Sequence, residues 1–117
     1  MFSDVWASWC KPCLEEMGAT LKLANRFANR NVTFILISID KDSAKWEAMI
    51  EKNKLVMNNI AHYNLDAESK LATFITDGAV PKYMVVAPNG STITEVAPRP
   101  SSDAATALLL ELLKSDK

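Results

Sequence analysis

The sequence predicts an α/β protein: a three-layer sandwich around a central mixed sheet, in the order β-α-β-α-(α)-β-β-α. Three observations predict it. An apolar segment at the start of the chain runs straight into a helical pattern that opens with a proline. A β-branched run at 32–39 follows, and two further strand patterns flank Pro88-Asn89-Gly90 ahead of a leucine-rich helix. One right-handed parallel crossover, closed by a hairpin and a helix, buries these faces in a single core. The first strand then lies in the centre of the sheet.

Each element has a local reason. Phe2 to Trp6 reads as a short strand, and Pro12 belongs in the first turn of the next helix, where its missing N–H costs nothing. Leu14, Met17, Leu21, Ala24 and Phe27 or Ala28 recur at helical spacing, which carries that helix to about Asn29. Val32 to Ile39 is almost continuously apolar, the pattern of a parallel strand buried on both faces. Asp42 or Ser43 caps a second helix with Trp46, Met49 and Ile50 on one stripe. From Asn53 through His62-Tyr63-Asn64 the pattern weakens and no strand is predicted. A short helix follows over Ala67 to Phe74, ended by Asp77-Gly78. Lys82 to Ala87 and Thr92 to Val96 read as a hairpin about the Pro88-Asn89-Gly90 turn. Ala97-Pro98-Arg99-Pro100 cannot continue a central strand. Ser101 to Asp103 then caps a last helix carrying Ala104, Leu108, Leu109, Leu112 and Leu113.

With 117 residues, 49% of them hydrophobic, the chain is one domain over 1–117 with enough apolar material for a core. A net charge of −1 gives no electrostatic basis for binding nucleic acid. No apolar run approaches the roughly 20 residues of a membrane span. Met1-Phe2-Ser3-Asp4 lacks the basic and long apolar regions of a signal peptide. The chain enters a strand with no lead-in, and it is expected to be a segment of a longer protein.

Both cysteines sit in Cys10-Lys11-Pro12-Cys13. Three positions apart at a helix start, they share one helical face and fall within the roughly 4.4–6.8 Å Cα separation that a disulfide requires. A pair held this way cycles between dithiol and disulfide without rearranging the fold, so the chemistry indicated is redox exchange. Cys10 is the expected nucleophile: orphan N–H groups and the helix dipole favour its thiolate, and Lys11 adds a positive charge. Cys13, one turn deeper, is the expected resolving thiol, attacking the mixed disulfide that Cys10 forms. Lys11-Pro12 fixes neither the potential nor the direction of electron flow. Trp6 is expected in the core and Trp9 on a peptide-binding surface. His62 with the two cysteines makes three possible ligands where structural zinc takes four, so no metal is expected. Met17, Met49, Met57 and Met84 are assigned to core or groove. The cysteine pair is itself the redox centre, and no cofactor is required.

Trp6-Ala7-Ser8-Trp9-Cys10-Lys11-Pro12-Cys13 after a strand, Val80-Pro81 before the hairpin, and the β-α-β…β-β-α order together resemble the thioredoxin superfamily. With Glu16 added, the motif is most similar to the exported TlpA/ResA-type branch. Val80 to Gly90 and Ala97-Pro98-Arg99-Pro100-Ser101 resemble its Bacteroidetes-type members. Two departures stand out: the branch's usual N-terminal strand is missing, and Gly18 occupies a position where a proline is common. The resemblance implies that Asp4 is buried beneath the cysteines with a raised pKa, ready to accept the Cys13 proton. It implies that Glu16 shares this task. It also implies a cis Val80-Pro81 bond, against a base rate of about 5–6% for X–Pro bonds. The Val80 backbone would then face an extended substrate, beside Trp9, Lys11 and Pro12.

The function so implied is a thiol–disulfide oxidoreductase acting on protein thiol and disulfide substrates, as a reductase. It would be recycled by an upstream electron-donor protein, and be periplasmic or membrane-anchored facing the periplasm. An alternative of a different class is a thioredoxin-fold binding module that holds partners through Trp9 and Val80 without turnover; the presence of both cysteines speaks against it. A peroxidase would need a cysteine outside the motif, and the chain has none.

Overall fold

The computed structural model describes residues 1–66, 68–70, 80–87, 89, 91–94 and 97–115. These form β1 (Phe2–Trp6), α1 (Lys11–Arg26), β2 (Phe34–Ser38), α2 (Ser43–Lys52), β3 (Ile60–Asn64), β4 (Lys82–Val86), β5 (Thr92–Thr94) and α3 (Asp103–Ser115). The strands make one sheet in the order β3-β2-β1-β4-β5. β1 pairs in parallel with β2, and β2 with β3, while β1–β4 and β4–β5 are antiparallel. The sheet is therefore mixed and β1 is central, as the sequence predicts.

Hydrogen-bonded on both sides, β1 is buried along its whole length. Strand alternation puts Phe2, Asp4 and Trp6 on one face and Ser3 and Val5 on the other. The Phe2 ring lies 5.5 Å from Phe34 of β2 and 6.1 Å from Tyr83 of β4, so these three rings share the Asp4 face. α1 covers that face with a stripe of Cys13, Met17, Thr20, Leu23 and Ala24. It stops at Arg26, short of Asn29, because the Phe27 N–H is shared between the Leu23 and Ala24 carbonyls at 3.2 Å, which tightens the last turn. Phe27 itself is buried. α2 is capped by Asp42, whose Oδ1 accepts the Ala44 N–H at 2.9 Å. β2 buries Phe34, Leu36 and Ser38 fully and leaves Ile35 and Ile37 half-buried.

β3 corrects the sequence reading, which places no strand between Asn53 and Asn64. An edge strand paired on one side needs no alternation of apolar and polar residues. Ile60-Ala61-His62-Tyr63-Asn64 is half-buried throughout except at the exposed Tyr63. Polar anchors hold it instead: His62 Nε2 lies 2.5 Å from the Leu55 carbonyl, and Asn64 Nδ2 donates to the Asp40 carbonyl at 3.0 Å. The helix predicted over 67–74 lies outside the described residues. In the hairpin turn, Asn89 Oδ1 accepts the Ser91 N–H and hydroxyl at 2.9 and 2.7 Å. Ser102 caps α3, its Oγ accepting the Ala105 N–H at 3.3 Å.

Gly18 lies inside α1, and a Cβ built there meets nothing within 4 Å. Gly18→Ala is therefore expected to stabilise the protein by about 0.5–1 kcal/mol through helix propensity alone. A thermal melt of the oxidised protein should show Tm rising by roughly 2–5 °C; an unchanged or lower Tm would refute this.

Candidate active site

The site begins where the chain leaves β1. Cys10 N donates to the Ala7 carbonyl at 3.1 Å, closing a turn, and Cys10 becomes the extended N-cap of α1. Its sulfur accepts the Cys13 N–H at 3.3 Å, the place a capping oxygen usually takes. Cys10 and Cys13 are disulfide-bonded with their Cα atoms 5.3 Å apart, inside the range their spacing predicts. Cys10 is the outer of the two, 5% exposed against 1% for Cys13.

Trp6 is fully buried, whereas Trp9 is 66% exposed; Lys11 and Pro12 are exposed beside it in the first turn of α1. The Val80-Pro81 bond is cis. Val5 pairs with Lys82, so continuing the register by one residue sets Pro81 level with Trp6. Trp9, Lys11, Pro12, Val80 and Pro81 thus gather at the end of the sheet where β1 finishes. Among the described residues, none hydrogen-bonds to the Val80 backbone.

Asp40, just past the end of β2, is a buried group that sequence reasoning misses. Its two carboxylate oxygens accept the Ser8 N–H at 3.0 and 3.1 Å, and they also accept the Ser8 and Ser38 hydroxyls, each at 2.6 Å. Asn64 donates to Ser38 Oγ at 3.2 Å, which ties β3 into the same knot. The loop that presents Cys10 is therefore bolted to the ends of two neighbouring strands. The only sequence signal is an aspartate directly after an apolar strand.

Asp4 is 2% exposed on the face covered by α1. Thr20 Oγ1 is placed to donate to Asp4 Oδ2 at 3.3 Å or to the Glu16 carbonyl at 3.2 Å, while Asp4 Oδ1 has no hydrogen-bond partner among the described residues. Burial pushes the Asp4 pKa up to about 7; the Thr20 hydrogen bond opposes this, and the Glu16 charge adds to it. Glu16 is held in place by the segment ahead of α3: Ser101 donates its N–H to Oε1 at 3.1 Å and its hydroxyl to Oε2 at 2.8 Å. Tyr83, directly opposite Asp4 on β4, buries a hydroxyl that likewise has no hydrogen-bond partner among the described residues. Burial raises its pKa, the Asp4 and Glu16 charges raise it further, and Arg99 opposes them. Thr20 and Tyr83 are not marked in the sequence, although Thr20 lies seven residues after Cys13 and hence on the same helical stripe. His62, on the edge strand, is engaged with Leu55 and is not brought to the cysteines.

Comparison with known proteins gives a consistent picture. The thioredoxin-like family model matches residues 3–92. No curated protein matches the sequence significantly. Among solved structures, the chain is similar to a protein described as a thiol–disulfide oxidoreductase from Bacteroides vulgatus. The two are 30% identical with TM-score 0.78, over 97% of this chain and 73% of that one. A thiol–disulfide oxidoreductase from Bacteroides fragilis matches at 25% identity and TM-score 0.78, over 96% and 80%. A secreted disulfide oxidoreductase from Mycobacterium tuberculosis shares the fold at 19% identity and TM-score 0.66, over 97% and 79%.

Two outcomes follow from the buried carboxylates. Asp4 rises from an ordinary 3.8 to about 7 on folding, so between those values the native state holds a proton that the unfolded chain has released. Stability therefore falls as pH rises through this window, by on the order of 4 kcal/mol. Asp4→Asn should remove that slope: denaturant melts should find it more stable than the parent at pH 8, with the gain gone at pH 4. Parallel curves for the two proteins would refute the buried ionisation. Asp40→Ala leaves the Ser8 N–H and two hydroxyls without their acceptor, and is expected to cost about 2–4 kcal/mol in urea unfolding. A loss under about 1 kcal/mol, within the range of an ordinary surface change, would show that the knot is not structural.

Proposed function

Because the chain belongs to the thioredoxin-like family and is a thiol–disulfide oxidoreductase, we propose that it works as a reductant of protein disulfides outside the cytoplasm. The observation that carries this reading is the Cys10–Cys13 pair at the N-terminus of α1, with a carboxylate of pKa about 7 buried behind the same helix. In the dithiol form, the Cys10 thiolate attacks one sulfur of a substrate disulfide. That S–S bond breaks, a mixed disulfide forms, and the first substrate thiolate leaves. Cys13 then gives its proton to Asp4, and its thiolate attacks Cys10 Sγ. The Cys10–Cys13 bond forms, and the second substrate thiolate departs. Two electrons pass from the cysteine pair to the substrate, and its two departing thiolates take up their protons from solvent.

Proton transfer needs a group that takes the proton and returns it near neutral pH, and a carboxyl raised to about 7 suits this. Glu16, held by Ser101 and close enough to raise the Asp4 pKa, would pass the proton on to solvent. Exposed Trp9 with Lys11 and Pro12 on one side, and the Val80-Pro81 backbone on the other, would seat an extended substrate segment. An electron-donor protein restores the dithiol. The extracytoplasmic setting is supported by the secreted Mycobacterium tuberculosis neighbour. Among the described residues, no helix is long and apolar enough to cross a membrane.

Cysteine variants test the reading. Cys10→Ser should abolish reduction of a protein disulfide, and Cys13→Ser should accumulate mixed disulfides visible on a non-reducing gel. Full biological activity of Cys10→Ser would instead establish a binding module. Asp4→Asn should slow turnover near pH 7 by up to roughly 10²-fold and much less at high pH; equal slowing at both would remove its proton role.

A further inference from the structure

Among the described residues, several buried polar atoms are without hydrogen-bond partners on the face that α1 covers, Trp6 Nε1 among them. Two of them are Asp4 Oδ1 and the Tyr83 hydroxyl. They belong to residues directly opposite each other on β1 and β4. Opposed residues of an antiparallel pair project to the same face with their Cβ atoms about 4.5–5.5 Å apart. The Tyr83 ring confirms the face, packing 6.1 Å from Phe2, two residues before Asp4 on the same strand. A buried carboxylate oxygen and a buried phenol, each unsatisfied, are individually costly. Placed in one compartment, they share a remedy: a single water that accepts from the phenol and donates to the carboxylate.

The Trp6 indole N–H, two residues along β1 on the same face, is also without a partner among the described residues, but Tyr83 is the donor directly opposite Asp4 on the neighbouring strand. Thr20 of α1 binds the opposite oxygen, Oδ2. Glu16 of α1 is occupied by Ser101. Arg99, ahead of α3, acts electrostatically on Tyr83, and Leu36, the partner of Asp4 on β2, has no polar side-chain atom.

We propose that Tyr83 is a positioning residue of the exchange reaction: through one water, its hydroxyl donates toward Asp4 Oδ1 and sets the pH at which Asp4 gives up the Cys13 proton. This role rests on Asp4 being the proton acceptor. A donor aimed at a carboxylate favours the charged form, so its removal raises the carboxyl pKa.

The test follows the Asp4 carboxyl by carbon-13 NMR in the oxidised protein, where no thiol titrates. Tyr83→Phe keeps the ring on Phe2 and should move the Asp4 midpoint up by about one pH unit. Replacing Tyr83 with 3-fluorotyrosine, a stronger donor of nearly the same shape, should move it down. A midpoint unmoved by either change, or lowered by Tyr83→Phe, overturns the proposal. If Tyr83→Phe does not fold, the fluorotyrosine arm decides alone: a downward shift supports the proposal and no shift ends it. The titration is read without turnover, so it succeeds or fails separately from the Asp4→Asn rate test.

Discussion

Asp4 stands on a strand that is hydrogen-bonded to β2 on one side and β4 on the other, with every residue of that strand buried. Its carboxyl can only turn toward α1. One oxygen meets Thr20 and the other has no hydrogen-bond partner among the described residues, so the charged form is poorly solvated there. The surrounding packing must hold this position against that cost. Phe2, Trp6, Phe34 and Leu36 are each fully buried around it, and side chains of this size contribute about 1.5–3 kcal/mol apiece. The result is a carboxyl kept where it is nearly as stable protonated as ionised at neutral pH. Much of the neighbourhood is intelligible from that single placement: Thr20 sits below the cysteines on the helical stripe, Glu16 adds its charge, and a phenol lies opposite.

Two polar ties secure the start of α1 from different directions. Asp40 holds Ser8, just before the cysteines, to the ends of β2 and β3. Ser101 holds Glu16, just after them, to the segment leading into α3. Reactive groups are most useful when their supports leave little freedom, and here the supports come from residues far away in the chain. The sulfur of Cys10 adds a third constraint by capping its own helix.

The parts of this design written in local chemistry could be read from the sequence. Pro12 and the apolar spacing after it announce α1, the β-branched run announces β2, and Asp42 announces the start of α2. The cysteine spacing announces the disulfide, while the burial of Asp4 and its raised pKa are what the family resemblance implies. What escaped detection depends on pairing across distance. β3 has His62, Tyr63 and Asn64 where an apolar alternation would be sought, because an edge strand is held by one neighbour and by side-chain anchors. The Ser8–Asp40 contact spans 32 positions and the Glu16–Ser101 contact 85. Tyr83 meets Asp4 only because the β1–β4 register sets it there. Short polar residues carry no periodicity, so nothing in their own neighbourhood distinguishes a site partner from a solvated side chain.

The antiparallel course of β4 gives the sheet two ends of unlike character. Pro81 enters beside Trp6 at the cysteine end, and the strand then runs the length of β1, so that Val86 donates its N–H to the Met1 carbonyl at 2.9 Å. The Asn89 turn therefore hangs at the far end, about 17 Å away along a five-residue strand. A dye, a tether or an inserted peptide placed in that turn would ride on the strand that follows Pro81 while staying clear of the sulfurs. The fold thus supplies a natural handle for immobilising the protein with its reactive end facing outward.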